Sequence, residues 1–404
     1  MKSYLSFVRA EARWLFFGVV LTFTGNLGQT FFISLFNEPI RQELGLGHAD
    51  FASLYALGTI FGSLVLFWIG RAIDHNPVHL ITGFTLVGLA AAGAVLASST
   101  GVVTLTIAFL MLRLCGQGMS THIAITCMAR WFARNRGKAI SIASLGAPIG
   151  EALLPPLVVV LLGAMQWRDV WWLFATIVAA ILAPLCLMLV WHGERTPKRG
   201  IDDAPYDDEI PSWSRAQVLR DPRFWLMLPT TTGPAWILTA VFFHQGVIVA
   251  TKGWEFSTFA LAFTAFAVTK VAVGLLTGTA IDRFTAARIA PLTMPVMCAA
   301  LVILALSAAP SGAWLFMTAI GVHVGMNQTT MSALWPELYG RRYLGAIKAL
   351  MMSLGVFASA LGPPIFGFGI DNGMALPVLL LGCAAYSLMA TALTVIALRR
   401  PAQR

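Results

Sequence analysis

Twelve apolar runs, each of roughly 20–27 residues, set what this chain of 404 residues is able to fold into. They occupy 14–37, 50–70, 79–98, 103–129, 139–163, 169–191, 224–249, 257–280, 289–308, 313–335, 346–369 and 375–398. A helix needs about 20 such residues to cross the roughly 30 Å hydrocarbon core of a bilayer. Hydrocarbon offers the backbone no hydrogen-bond partners, so only helices and closed barrels cross it. Barrel strands are short and alternate in polarity, and these runs do neither. The expected fold is all-α: a membrane protein of twelve transmembrane helices.

Charge placement gives the orientation. Only 11% of the residues are charged and 58% are hydrophobic, against about 25% and about 45–50% in soluble domains. That balance excludes an ordinary soluble enzyme, a disordered chain and a nucleic-acid-binding domain. Of the 27 Lys and Arg, 22 lie at or beside the termini and the even-numbered loops. Three (Arg41, Arg168, Lys252) fall in odd-numbered loops, and Arg113 and Lys270 lie inside spans. The positive-inside rule then places both termini and the even loops in the cytoplasm of an inner-membrane, multi-pass protein. This accounts for the net charge of +9 without a nucleic-acid partner. The five cysteines lie in apolar stretches and form no metal-ligand spacing, so neither a cofactor nor a metal is expected. The first apolar run is too long for a cleavable signal.

The longest loop, 192–223, holds the polar run Asp202 to Glu209 and divides the chain into a six-span bundle at 1–191 and another at 224–404. Ser214 with Gln217 forms a potential capping box, which predicts a short interfacial helix there. The halves repeat at an offset of 208 residues: Gly25 falls on Gly233, Gly70 on Gly278, Asp74 on Asp282, Gly137 on Gly345, and Pro155-Pro156 on Pro363-Pro364. Two six-helix repeats around a central linker is a transporter architecture.

Inside the spans, Arg113, Glu151 and Lys270 lie near the membrane midplane, where each charge costs about 2.5–3.5 kcal/mol on insertion scales. Such residues face each other, water or a ligand. For Arg113 and Glu151, on adjacent helices, a structural ion pair and a functional role both stand open. Lys270 has Phe266 one turn earlier, and reads as a substrate-facing cation. Gly25-Asn26-Leu27-Gly28-Gln29 and Thr230-Thr231-Thr232-Gly233-Pro234-Ala235-Trp236 are interruptions in corresponding spans, which point to a midplane site where Asn26 donates and Trp236 forms an apolar wall. His323 and Asn327 lie four apart on one helical face, suited to binding substrate, carrying a proton or bonding a neighbouring helix.

Gly70-Arg71-Ala72-Ile73-Asp74 and Gly278-Thr279-Ala280-Ile281-Asp282-Arg283 each stand where a span meets the cytoplasm. They resemble the G-x-x-x-D-R-x-G motif of the major facilitator superfamily, which implies that Gly70, Asp74, Gly278, Asp282 and Arg283 latch the inward end of the bundle. Arg113-Leu114-Cys115-Gly116-Gln117-Gly118 resembles that superfamily's R-x-x-G-x-G element. Together with Arg130 to Ala139, Gly146, Gly150, Trp167-Arg168 and Asp221-Pro222-Arg223-Phe224-Trp225, it is similar to the monocarboxylate and oxalate–formate branch. That resemblance places Lys270 where the branch carries arginine, and Phe266 where it carries the aspartate that couples protons. Its expected acidic-Gly-Gly-Trp signature is here Glu11-Ala12-Arg13-Trp14, and Glu151 stands where the antiporter-type motif of the fifth span has proline.

The expected function is secondary transport of a small organic anion, a carboxylate, by a monomer in the lipid bilayer. Arg113 and Lys270 supply positive charge, Asn26, Trp236, His323 and Asn327 shape the site, and Glu151 is the place for protons to couple. The alternative is an exporter in which Glu151 meets a neutral or cationic compound. An intramembrane enzyme would need a catalytic constellation, and no HExxH, GxSxG or intramembrane acid pair is found. A sensor would need a signalling domain larger than the longest loop. The charge bias makes a topological prediction: a reporter fused after Arg404, or inserted at 192–211, is active in the cytoplasm. Periplasmic activity of the fusion reverses the orientation.

Overall fold

The computed structural model describes residues 2–70, 72–132, 135–191, 212–340 and 342–400; the part of the linker at 192–211 lies outside them. Every regular element among the described residues is helical. The principal helices are α1 (Ala12–Gly28 with Thr30–Leu44, bent by 50°), α2 (His48–Ile69), α3 (Val78–Ala97), α4 (Val102–Trp131), α5 (Arg136–Ala164), α6 (Trp167–Trp191), α7 (Pro222–Phe243), α8 (Phe256–Phe284), α9 (Ala286–Leu306), α10 (Ser311–Tyr339), α11 (Leu344–Asp371) and α12 (Leu376–Arg399).

Ten of these helices are long and apolar enough to cross a membrane, and the bent α1 makes an eleventh. The exception is α10. It has 29 residues, but His323, Asn327, Gln328, Thr329, Thr330 and Ser332 make its second half too polar to be recognised as a span by composition. The twelve-span expectation therefore meets one helix whose polarity sets it apart.

The described residues form two compact units, Met1–Leu46 with Ser53–Ala204, and Gly47–Ala52 with Pro205–Arg404. In the first unit, Phe32, Phe36, Trp171 and Phe174 pack edge-on and tilted, with ring centres 5.0–5.7 Å apart. In the second, Phe242, Phe259, Phe263 and Phe266 form a similar cluster. Large apolar side chains also point outward, such as Phe84 at 76% exposure and Leu275 at 72%. A helix surface of this kind suits hydrocarbon rather than water.

The three basic residues in odd-numbered loops all close helix ends. Arg41 pairs with Glu38 at 2.8 Å and donates to the Leu46 carbonyl. Arg168 donates to the Ala97 and Ser99 carbonyls at 2.6 and 2.7 Å, and pairs with Glu43 at 2.8 Å. Lys252 donates to the Ala305 and Ser307 carbonyls at 2.7 and 2.9 Å. Cations at helix C-termini satisfy orphan carbonyls and oppose the helix dipole.

After the linker, Ser214 and Gln217 form the expected capping box and open the short helix Arg215–Arg220. Asp221 then caps α7, accepts from the Arg223 side chain at 2.9 Å and receives the Tyr339 hydroxyl at 3.1 Å. Buried charge is tolerated there because the pair is bonded on several sides.

Glycines fix a close helix crossing in the first unit. A Cβ on Gly28 would strike the Leu112 carbonyl and the Gln117 amide, whereas one on Gly355 meets nothing within 4 Å. Gly28→Ala is therefore expected to lower stability by about 1–3 kcal/mol, through forced separation of α1 and α4. Gly355→Ala, inside α11, is expected to be neutral or to stabilise by up to about 1 kcal/mol. Thermal unfolding of the two purified variants checks the contrast.

Candidate functional site

In the first unit the site begins with a break. Gly25–Gly28 winds as a tight 3-10 turn, and Gln29 is extended at φ −81°, ψ 150°. The Phe32 amide, which an unbroken helix would give to Gly28, bonds instead to the Gln29 carbonyl at 3.1 Å. The Gly28 carbonyl is thereby released, and Arg113 Nη1 donates to it at 3.1 Å. Arg113 reaches that carbonyl from Leu112–Ser120, a π-helical stretch of α4. Such wide turns recur at functional sites. Gly28 and Gly116 let the two backbones approach, since a Cβ on Gly116 would lie 2.7 Å from Gly28.

Arg113 is 6% exposed, and its guanidinium carbon lies 5.4 Å from the centre of the Tyr55 ring. The Tyr55 hydroxyl shares a 2.7 Å hydrogen bond with Thr30. Arg113 Nε is buried without a hydrogen-bond partner. Among the described residues no acidic side chain pairs with Arg113; its contacts run to Gly28 and Tyr55, not to Glu151. Glu151 sits half-buried on α5.

Asn26 is 2% exposed, and its amide donates to Phe23 at 2.9 Å and more weakly to Thr22 and Gly146. Gly150 makes room for it, because a Cβ there would collide with the Asn26 amide. Thr22 likewise donates to the Ala143 carbonyl. The glycine spacing of α5 thus receives polar side chains of α1, and Asn26 is engaged in that packing.

In the second unit the expected matched interruption is absent. The helix α7 runs unbroken through Pro229, Pro234 and Trp236, and ends only at His244. Thr230 donates to the Ala390 carbonyl at 3.0 Å, and the Tyr386 hydroxyl donates to that of Pro229 at 3.2 Å. Both bonds tie α7 to α12 across the proline-containing stretch. Trp236 packs edge-on to Tyr386 at 5.2 Å, and Gly362 admits its backbone.

The α8 and α10 helices meet backbone to backbone. Gly321 and Gly325 lie against Phe266, Lys270 and Gly274, so a Cβ on either would collide. Lys270 is half-buried, with Nζ 5.2 Å from the centre of the Phe266 ring. A cation–π contact therefore occupies the place where the branch carries an aspartate. His323 is fully buried and points instead to α9, donating from Nδ1 to the Thr293 carbonyl at 2.9 Å. In the neutral ring that bond makes Nε2 the acceptor, and Nε2 is buried without a partner, as are Asn327 Oδ1 and Thr330 Oγ1. Residues 323, 327 and 330 form one polar stripe on α10.

The two copies of the G-x-x-x-D motif are held differently. Near the first copy, His122 Nε2 bonds the Gly70 carbonyl at 3.1 Å and Arg130 donates to the Ile73 carbonyl at 2.9 Å. Arg71 and the Asp74 side chain lie outside the described residues. In the second copy Gly278 makes no close helix contact, and Asp282 and Arg283 are exposed. The residue that holds this corner is Glu337 of α10, which accepts from the Ala286 and Ala287 amides at 2.8 and 3.3 Å. Just before these amides Thr285 stands at φ 71°, ψ 153°, in a region that favours glycine. The motif asks for glycine at this position, and that departure was the available sequence signal; Glu337 itself had none.

The sequence profile of the Major Facilitator Superfamily matches residues 15–363. The chain belongs to that superfamily. It is 27% identical over 183 residues to the riboflavin transporter RibJ of Trypanosoma brucei brucei (strain 927/4 GUTat10.1), a match spanning 44% of this chain and 32% of that protein. The chain thus spans about a third of the length of this curated relative. Its fold is similar to that of a bacterial homolog of the human lysosomal transporter Spinster, in an inward-facing and occupied conformation, with TM-score 0.68, 17% identity and coverage of 98% and 96% of the two chains. It is also similar to a mutant of the nucleoside transporter NupG, with TM-score 0.71, 13% identity and coverage of 95% and 99%. Family and fold are those of membrane transporters.

The corner at Thr285 yields a stability test. Thr285→Gly is expected to raise stability by about 1–3 kcal/mol by removing backbone strain. Glu337→Ala is expected to lower it by about 1 kcal/mol or more, by leaving the first amides of α9 without an acceptor. Unfolding of the single and double variants checks both, and a non-additive double variant shows that cap and strained residue act as one unit.

Proposed function

We propose that this chain is a secondary transporter that moves a small organic anion, a carboxylate, across the inner membrane by alternating access between two six-helix halves. The observation that supports this most is Arg113. A guanidinium buried in an apolar bundle, with no acidic side chain paired to it among the described residues, is costly unless an anion joins it. Lys270 adds a second cation in the other unit, and its match to the arginine of the monocarboxylate branch supports the same substrate class. Trp236, His323 and Asn327 are the groups proposed to meet substrate in the second unit, while Asn26 braces α1 against α5. Glu151 is the group proposed to link protonation to transport. Both termini face the cytoplasm, and the protein works as a monomer.

A second reading follows from the likeness to a riboflavin transporter, which favours a neutral heterocyclic cargo. In that case Lys270 does not meet the substrate.

Uptake into liposomes of a panel of small carboxylates, amines and neutral heterocycles separates the two. Lys270→Gln is expected to fold normally and lose carboxylate uptake, and Lys270→Arg to keep part of it, limited by the larger planar head group. Glu151→Gln is expected to keep exchange and lose the response to an imposed pH gradient. Carboxylate uptake by Lys270→Gln at the wild-type rate removes Lys270 from the site. Uptake confined to neutral heterocycles establishes the second reading.

A further inference from the structure

We propose that Arg113 is the carboxylate anchor, gripping both oxygens through the Nε–Nη2 edge of its guanidinium. The inference rests on the anion reading above and adds the atoms and the geometry of recognition.

The argument is one of commitment. Arginine presents five N–H donors in a rigid planar fork. At Arg113 one nitrogen, Nη1, is spent on the Gly28 carbonyl at 3.1 Å. The ring of Tyr55 lies 5.4 Å from the guanidinium carbon, and its hydroxyl is held by Thr30 at 2.7 Å. A bond at one end and a fixed ring nearby restrict the plane of the guanidinium. What stays uncommitted is the side-on edge, with Nε buried and unpartnered. A purely structural arginine, serving only the broken helix, would need Nη1 and nothing more. Two coplanar oxygens at carboxylate spacing match the free edge in a bidentate pair, the strong and orientation-specific form of charge-assisted hydrogen bond.

Three helices assemble this anchor. The break in α1 frees the carbonyl that pins Nη1, α2 contributes Tyr55, and the wide turn of α4 carries Arg113 itself. Lysine would keep the charge and a donor for Gly28, but its ammonium is a point charge without a fork.

The test uses the full-length protein in lipid nanodiscs and measures thermal stabilisation by acetate, lactate and benzoate, with methylphosphonate and chloride for comparison. Arg113→Lys is expected to unfold, without ligand, within a few degrees of wild type, and to bind the stabilising carboxylates about tenfold more weakly or worse. Tyr55→Phe and Thr30→Val, which loosen the guanidinium without removing charge, are expected to weaken carboxylates in the same direction and leave chloride unaffected. Unchanged carboxylate stabilisation of Arg113→Lys overturns the anchor while the anion reading stands. Should Arg113→Lys fail to fold, wild-type carboxylate binding by both Tyr55→Phe and Thr30→Val overturns it. Stabilisation by methylphosphonate equal to or above that by acetate overturns the carboxylate class. If no carboxylate stabilises wild type, the anion reading falls and takes the anchor with it.

Discussion

The bond from Arg113 to the Gly28 carbonyl holds together a helix that the membrane would otherwise forbid. In hydrocarbon a carbonyl released from its helix finds no water, so a break persists only where the protein supplies a donor. Gln29 takes the Phe32 amide that would have served Gly28, and Arg113 fills the gap from another helix. The requirement runs in both directions. Arg113 needs acceptors because it is charged and buried, and the break needs a donor because it is irregular. Gly28 and Gly116 are the condition for both, since a single Cβ at either would push the two backbones apart.

The same demand shapes other helix ends, and there the internal repeat becomes physical. Arg168 bonds the carbonyls of Ala97 and Ser99, and Lys252 bonds those of Ala305 and Ser307. The acceptors correspond across the two halves at the offset of 208 residues seen in the sequence. The cations do not: one begins α6, while the other ends the short helix Gln245–Lys252. Each half must close the same carbonyls, and any donor within reach serves. The three exceptions to the charge bias in the loops are therefore caps at helix ends.

Much of this was legible in the sequence because length and apolarity are the signals that a bilayer enforces. The span limits at 103–129, 139–163 and 169–191 fall within about three residues of α4, α5 and α6. The break at Gly25–Gln29 was legible too, as glycine and asparagine in an apolar run. What composition could not give was the partner of each polar group. Asn26 looked like a substrate donor, but two small residues on α5 draw it into helix packing. Pro234 looked like the mirror of the first break, yet hydroxyl bonds around Thr230 and Tyr386 accompany an unbroken α7. His323 and Asn327 were rightly placed on one face, but the direction of that face depends on Gly321 and Gly325 turning the opposite side of α10 toward α8. Partner choice arises from packing between segments far apart in the chain, which a pattern of local spacing does not carry.

The two G-x-x-x-D motifs show the repeat at its loosest, and the reason lies in helix polarity. Each motif joins the C-terminal end of one helix to the N-terminal end of the next, so carbonyls and amides fall exposed side by side. The first copy is closed on its carbonyls, by His122 and Arg130. The second is closed on its amides, by Glu337. A cation suits the former and an anion the latter, since the two ends of the dipole have opposite sign. The two corners also differ in backbone, since α2 ends at Ile69 and is followed by the short helix Ala72–His75, whereas α8 runs on to Phe284. Thr285 marks how firmly the second corner is held: a residue with a Cβ keeps a conformation suited to glycine because the amides that follow it are fixed to Glu337. Strain persists only where the surroundings over-determine the backbone, so the second corner is a stiff joint whose geometry is set by a carboxylate on α10.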